Sequence, residues 1–352
     1  MNHAIKYLLI AAITLSFGWS CQKSKSRVLY VFNWTDYIAP ELIKQFETEY
    51  DCRVVYDMYN SNENMLTKVL TAQAMYDIIV PTGDHLEILR DKGLLMPIDK
   101  TRLKNYANLE PAILTKAAQF DTANTYGIPY FWGTSGFIYN KKYVSEEKMK
   151  DASWDFIRDT LFRGNNVVSM LDDEREVVGA ALIYSGYTPN SLEDSCLAKA
   201  EQILMEWDKT ISHYDSDSYK NEIQDGTVWM AHSYNGDALQ IMAVNQDIGF
   251  TLPREGATLW IDFMVIPVKS ENQELAYQFI DFLLGAEQAK QNALYVQYAT
   301  PNREAVSLLP ESIRSNPYIY PDSAYLDKCH LIQNIGEDVL KIDNIWQKIR
   351  NN

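Results

Sequence analysis

Apolar positions along the chain switch repeatedly between short β-prone runs and helical spacing. Residues 28–32 form a brief apolar run, and from Pro40 the spacing of Leu42, Ile43, Phe46 and Tyr50 gives one apolar face to a helix that proline is suited to start. Residues 53–59 read as a second strand, 63–73 as a helix with Met65, Leu66, Val69 and Leu70 inward, and 77–80 as a third strand stopped by Pro81. Such alternation predicts βαβ units and a largely parallel sheet. A short helix follows over 86–92 with Gly93 placed to end it, and 97–124 is a less periodic, helix-leaning connection.

The texture changes at 126–139, where aromatics and glycines crowd together, as expected of backbone that passes between lobes and beside a ligand. A second α/β region follows, with strands at 167–171 and 228–231 and helical segments at 176–184 and 197–208. The chain then crosses back through an apolar run at 259–268. Residues 273–284 form an amphipathic helix with Leu275, Phe279 and Leu283 in register, closed by Gly285, and 338–349 is again helical.

The first twenty-one residues read differently. Lys6 gives a short basic start, and 7–17 is an uncharged, mostly apolar run too short to span a bilayer. It ends in Gly18-Trp19-Ser20-Cys21, similar to a bacterial lipoprotein processing box, with Trp19 unusual there. This predicts a signal peptide over 1–20, a lipidated Cys21 and a polar tether over 21–27; a secretory signal cut elsewhere, or an uncleaved anchor, is the alternative.

A formal charge of −15 argues against nucleic acid as a partner, because phosphate binding needs clustered Lys and Arg. The sign suits a cationic ligand, although surplus acid also simply keeps a protein soluble. Twenty-three Tyr and eight Trp exceed what core filling usually needs, and such rings also line sites for small organic ligands. Beyond Cys21, Cys52, Cys196 and Cys329 are far apart and show no zinc or thiol-exchange spacing. One pair could bridge, but buried inert thiols are the expectation. There is no phosphate loop, dinucleotide fingerprint, His-Glu-x-x-His or nucleophile elbow, and His85, His213, His232 and His330 lack ligand-like pairing, so neither an enzyme nor a metal or cofactor protein is expected.

Three constellations remain. Asp172-Asp173-Glu174-Arg175-Glu176 follows a strand and enters a helix. Acids there favour the positive end of the helix dipole, but Asp173 and Glu176, three apart, are also placed to converge on a cation, and a glycosidase pair is a third reading. Asn33-Trp34-Thr35-Asp36-Tyr37 stands at the carboxyl end of the first strand, where the crevice of an open α/β sheet lies. Trp260 and Asp262 alternate along one strand and so share a facing, a pairing that suits an ammonium, although an edge tryptophan beside a solvated acid reads the same way.

In order and spacing, residues 28–37 (VLYVFNWTDY), 60–63 (NSNE), 76–81 (YDIIVP), 128–133 (IPYFWG), 172–177 (DDEREV), 260–267 (WIDFMVIP) and 299–302 (ATPN) resemble the periplasmic spermidine- and putrescine-binding proteins. The resemblance implies an α/β, two-lobed periplasmic-binding-protein fold of the double-crossover type (type II), with a ligand cleft between lobes. The lobe boundaries expected are 28–129 plus 262–300 for one and 130–261 plus 301–352 for the other. It further implies an exported monomer at the periplasmic face of a bacterial membrane that captures spermidine or putrescine and delivers it to an ABC permease, touching membrane only through its lipid; a sensor presenting its closed form to a signalling receptor is the alternative. The family's ligand positions fall on Trp34, Thr35, Asp36, Tyr37, Thr82, Asp173, Glu176, Tyr234, Trp260, Asp262, Tyr298 and Gln333, and Asp84 joins them from the Gly83-Asp84-His85 stretch, which replaces a serine/threonine and tyrosine stretch of the family. Tyr234 replaces a tryptophan and Asp36 a glutamate. With acids at both ends and in the middle, spermidine is favoured over putrescine: Asp173 with Glu176 is expected to take one terminal ammonium, Asp262 a central amine, and Asp36 with Thr35 and Tyr37 the far end.

Overall fold

The computed structural model describes residues 27–71 and 75–351, so the expected signal peptide, Cys21 and most of the tether lie outside the described residues. One sheet contains β1 (Arg27–Trp34), β2 (Cys52–Tyr59), β3 (Ile78–Ile79), β4 (Gly127–Asn140), β5 (Val168–Met170), β6 (Ile211–Tyr214), β7 (Met230–Tyr234), β8 (Ile248–Thr251), β9 (Thr258–Val265) and β10 (His330–Leu331). β1 pairs in parallel with β2 and β3, and β5 pairs in parallel with β6 and β7. These are two parallel half-sheets, as the alternating pattern predicts.

β4 and β9 join the halves. Up to Thr134, β4 lies antiparallel to β9; from Ser135 onward it lies antiparallel to β7 and β8. β9 begins beside β10, at Thr258 against His330, and ends against β3, at Val265 opposite Ile79. The chain therefore crosses between halves twice, which is the double crossover. The aromatic and glycine-rich stretch read only as a passage between lobes is a fourteen-residue strand buried at every position. A strand covered on both faces loses the polar alternation that would mark it in the sequence.

Helices cover both halves. α1 (Pro40–Tyr50) has Pro40 in its first turn, buries Leu42 and Phe46, and ends at Asp51 with φ 45°. α2 (Asn62–Leu70) is capped by the Ser61 hydroxyl and buries only Met65, so of its expected inward face one residue is deeply placed. α3 (Gly83–Asp91) begins three residues earlier than expected, directly after β3 and Pro81. α4 (Glu174–Tyr184) is capped by Asp173, whose Oδ1 accepts from the N–H groups of Arg175 and Glu176 at 3.0 and 3.1 Å. α5 (Asp194–Trp207) and α6 (Asn235–Val244) follow, then α7 (Gln273–Leu283), which buries Leu275, Phe279 and Leu283 in the expected register, α8 (Ala286–Val296) and α9 (Val339–Arg350).

One buried acid pins the first half. Asp77 accepts from the Tyr30 N–H at 2.9 Å, the Ser270 hydroxyl at 2.7 Å and the Asn272 N–H at 3.0 Å, so each of its oxygens is satisfied within the fold. Cys52, Cys196 and Cys329 carry free thiols.

Candidate functional site

The carboxyl ends of β1, β3, β5 and β7 deliver Trp34, Thr82, Asp173 and Tyr234, and the crossing strand β9 delivers Trp260 and Asp262. Contacts link these into one constellation. The Tyr37 hydroxyl donates to Asp262 Oδ2 at 2.6 Å, and its ring meets that of Tyr298 edge-on at 5.7 Å. Tyr298 packs edge-on against Trp260 at 4.9 Å, Trp260 against Tyr234 at 6.4 Å, and the Tyr234 hydroxyl donates to Asp173 Oδ2 at 3.3 Å. Trp34 packs at 4.7 Å on Tyr59, and Thr82 is bridged through its backbone to Asp262.

Two glycines make room for these rings. A methyl group at Gly133 would come within 2.5 Å of the Trp260 indole, and one at Gly236 would land inside the Tyr298 ring. Neither position was singled out from sequence.

The acids divide sharply. Asp262 is buried, and its Oδ1 has no hydrogen-bond partner among the described residues. Burial pushes this carboxyl well above its usual range and the charge of Asp84 adds to that, against the Tyr37 hydroxyl. Glu176, 3% exposed, accepts from the Thr258 hydroxyl at 2.6 Å; burial, then the neighbouring Asp173, push it up to about 8. Burial also raises Asp173, with Glu63 and Asp84 adding like charge. Asp84 goes the other way. Burial opposes its ionisation, but His85, 3.0 Å away, together with the Thr82 hydroxyl and Arg175, brings it down to about 2.

Three buried carboxyls raised together, two of them hydrogen-bonded to the aromatic cluster through Tyr37 and Tyr234, are a site short of positive charge. Ammonium groups supply it: each donates charge-assisted hydrogen bonds to a carboxylate while ring faces cover adjoining methylenes. The indole N–H groups of Trp34 and Trp260 also lack partners among the described residues. As donors they do not match an ammonium, so these side chains offer their faces.

Other expected ligand residues sit apart. Thr35 and Asp36 are exposed, Asp36 with φ 55°, and the Thr35 hydroxyl reaches the Tyr59 carbonyl at 3.4 Å. Tyr37, grouped with Asp36 in the sequence reading, instead serves Asp262. Gln333 takes part through its backbone, its carbonyl accepting from Arg175 Nη1 at 3.2 Å and its N–H donating to Asn190 Oδ1 at 3.0 Å.

Supporting residues escaped the sequence reading. Thr258 is two positions before Trp260 on β9, so the alternation that pairs Trp260 with Asp262 includes it. Asp237 accepts from the hydroxyls of Tyr298 and Tyr219 at 3.2 and 3.3 Å and is paired with Lys220 at 3.1 Å. His232, fully buried beside Glu176 at 3.7 Å, is brought down to about 3 by that burial and stays neutral. No short-range signal marks Asp237 or His232 for these roles.

A profile of bacterial extracellular solute-binding proteins matches residues 41–319. A putrescine/cadaverine-binding protein of Pseudomonas aeruginosa is 33% identical, the alignment covering 98% of this chain and 99% of that one. The spermidine/putrescine ABC transporter substrate-binding protein of Streptococcus pneumoniae superposes with a TM-score of 0.84 at 33% identity, covering 93% of this chain and 99% of that one. A Treponema pallidum lipoprotein does so at 0.82 and 28%, covering 92% and 100%. Two half-sheets joined by two crossings, an amine-suited constellation at their carboxyl ends and similarity over nearly the whole length agree: the chain belongs to the bacterial extracellular solute-binding proteins, with the two-lobed fold of their periplasmic spermidine- and putrescine-binding members.

Proposed function

We propose that this protein captures a linear polyamine between its lobes and presents it to an ABC permease, binding it without turnover. The observation that carries the reading is Asp262: a buried carboxyl with one oxygen on the Tyr37 hydroxyl and the other unpartnered, beside Trp260 and linked through Tyr298 and Tyr234 to the Asp173–Glu176 pair. Polyamine ammonium groups, with pKa values near lysine's at about 10.4, arrive charged, and each must meet an acid or lose several kcal/mol to desolvation. Trp34, Tyr37, Tyr234, Trp260 and Tyr298 wall the methylenes.

Asp262 takes one ammonium and Asp173 with Glu176 another. Asp36 and Thr35, exposed here, join only at the rim, which weakens the case for a third charge at that end. The relatives' names, putrescine/cadaverine and spermidine/putrescine, support the ligand class. The lobes, 28–129 plus 262–300 and 130–261 plus 301–352, close on a ligand touching both; β4 changes partner five residues past the first of these bounds, between Thr134 and Ser135. Titration calorimetry with putrescine, cadaverine, spermidine and spermine is expected to give heat of binding for at least one; silence from all four overturns the assignment.

The protein is held at the membrane by lipid on Cys21. Among the described residues no helix is long and apolar enough to cross a membrane, and one structural relative is a lipoprotein. Radiolabelled palmitate should enter cells' wild-type protein and not Cys21→Ala; equal labelling of both removes the anchor.

A further inference from the structure

At the start of α3 an imidazole stands against an acid of the site. His85 Nδ1 stands 3.0 Å from Asp84 Oδ2, and its Nε2 is 4.0 Å from Glu63 Oε1 of α2. The other Asp84 oxygen accepts from the Thr82 hydroxyl, and Thr82 is the backbone neighbour of Asp262. The same acid adds like charge to both Asp262 and Asp173, so it belongs to the same electrostatic cluster as they do.

We propose that His85 is a specificity-determining residue: its imidazolium stands at Asp84 in place of a third ammonium and makes this a site for diamines. The inference rests on the polyamine reading. Of the acids linked here, Asp84 is the one already met at contact distance by a side chain able to carry positive charge, His85 at 3.0 Å, with its other oxygen on the Thr82 hydroxyl. With Asp84 so occupied, Asp262 and the Asp173–Glu176 pair remain for two ammonium groups. A triamine adds a third positive charge beside His85, and close like charges repel strongly where water is scarce. With His85 neutral, Asp84 is released and the balance shifts to three.

The groups around the imidazole favour its charged form. Asp84 faces it from its own helix, Glu63 from α2 and Asp173 from the cap of α4; although burial works against them, together they raise His85 above its usual range. Arg175 and Thr82 engage Asp84 rather than His85. Glu87, further along α3, accepts from the Asn334 N–H at 3.0 Å and lies 4.0 Å from Arg90.

The quantity to measure is the ratio of spermidine to putrescine affinity, because proton loss from Asp262 and Glu176 is common to both ligands and cancels. Calorimetry at pH 6.5 should show putrescine preferred by wild type and the ratio moved about tenfold or more toward spermidine in His85→Gln. In wild type alone, where no folding defect intervenes, the ratio should move the same way as pH rises from 6.5 through the raised titration of His85, and in His85→Gln it should move less. A ratio that ignores both the substitution and the pH overturns the role of His85 while leaving polyamine binding intact. Absence of binding by either amine overturns the polyamine reading and this inference with it.

Discussion

Asp262→Asn should weaken putrescine or spermidine binding by roughly 30- to 900-fold, about 2–4 kcal/mol, while leaving the free protein at least as stable as wild type at neutral pH. The two effects separate because of where the carboxyl sits. It is buried on a central crossing strand, with one oxygen on Tyr37 and none of the described residues meeting the other. Burial, reinforced by Asp84, raises it well above the ordinary carboxylate range, so in the ligand-free protein it holds its proton where an unfolded chain would not. A group raised in this way loses stability for the fold as pH climbs from about 3.9 toward the raised value, because the unfolded chain gives up its proton first. Asparagine, always neutral and still able to accept from Tyr37, escapes that loss. With ligand the order reverses, since only a carboxylate can answer the ammonium charge. Calorimetric affinity alongside thermal unfolding at pH 5 and pH 8 tests the pair of effects. Full affinity in the variant, or a large loss of stability, would contradict the role given to Asp262.

Polyamine binding should release protons and strengthen as pH rises toward 8. Glu176 is pushed up to about 8 by burial and by Asp173, so near pH 7 the free site holds a proton that an incoming ammonium must displace. For each proton displaced, affinity changes by up to tenfold per pH unit below the group's pKa, and the amine itself, near 10.4, stays charged throughout. Titrations at pH 7 in buffers of different ionisation enthalpy should report net proton release on binding, close to one of those protons coming from Glu176. Glu176→Gln should bind more weakly and release about one proton fewer. Heat independent of the buffer would sink the proposal. Stability of the free protein runs opposite to affinity: Glu176 contributes a loss as pH rises from about 4.3 to about 8.

Much of the fold was legible because its signals are local. Pro40 opening α1 and the register of Leu275, Phe279 and Leu283 on α7 each depend on spacing within a few residues, and each appears where the pattern placed it. The Asp172–Glu176 stretch illustrates the limit. Asp173 does what a helix cap does, accepting from two backbone N–H groups, and also takes the Tyr234 hydroxyl from 61 residues away. The helix-terminus and cation readings, alternatives in the sequence, are compatible in three dimensions because a carboxylate has several lone pairs.

By itself the sequence determined the α/β alternation, the helix starts and the inventory of acids and aromatic rings, since these follow from backbone geometry and side-chain periodicity. It did not determine which acids hold protons. Asp36 and Asp262 are the same residue type, yet one is exposed and the other buried against Tyr37, 225 residues away in the chain. Desolvation and the placement of neighbouring charge set an acid's affinity for its proton, and only the double crossing of β4 and β9 brings Tyr37, Asp84, Asp173 and Glu176 close enough to impose them.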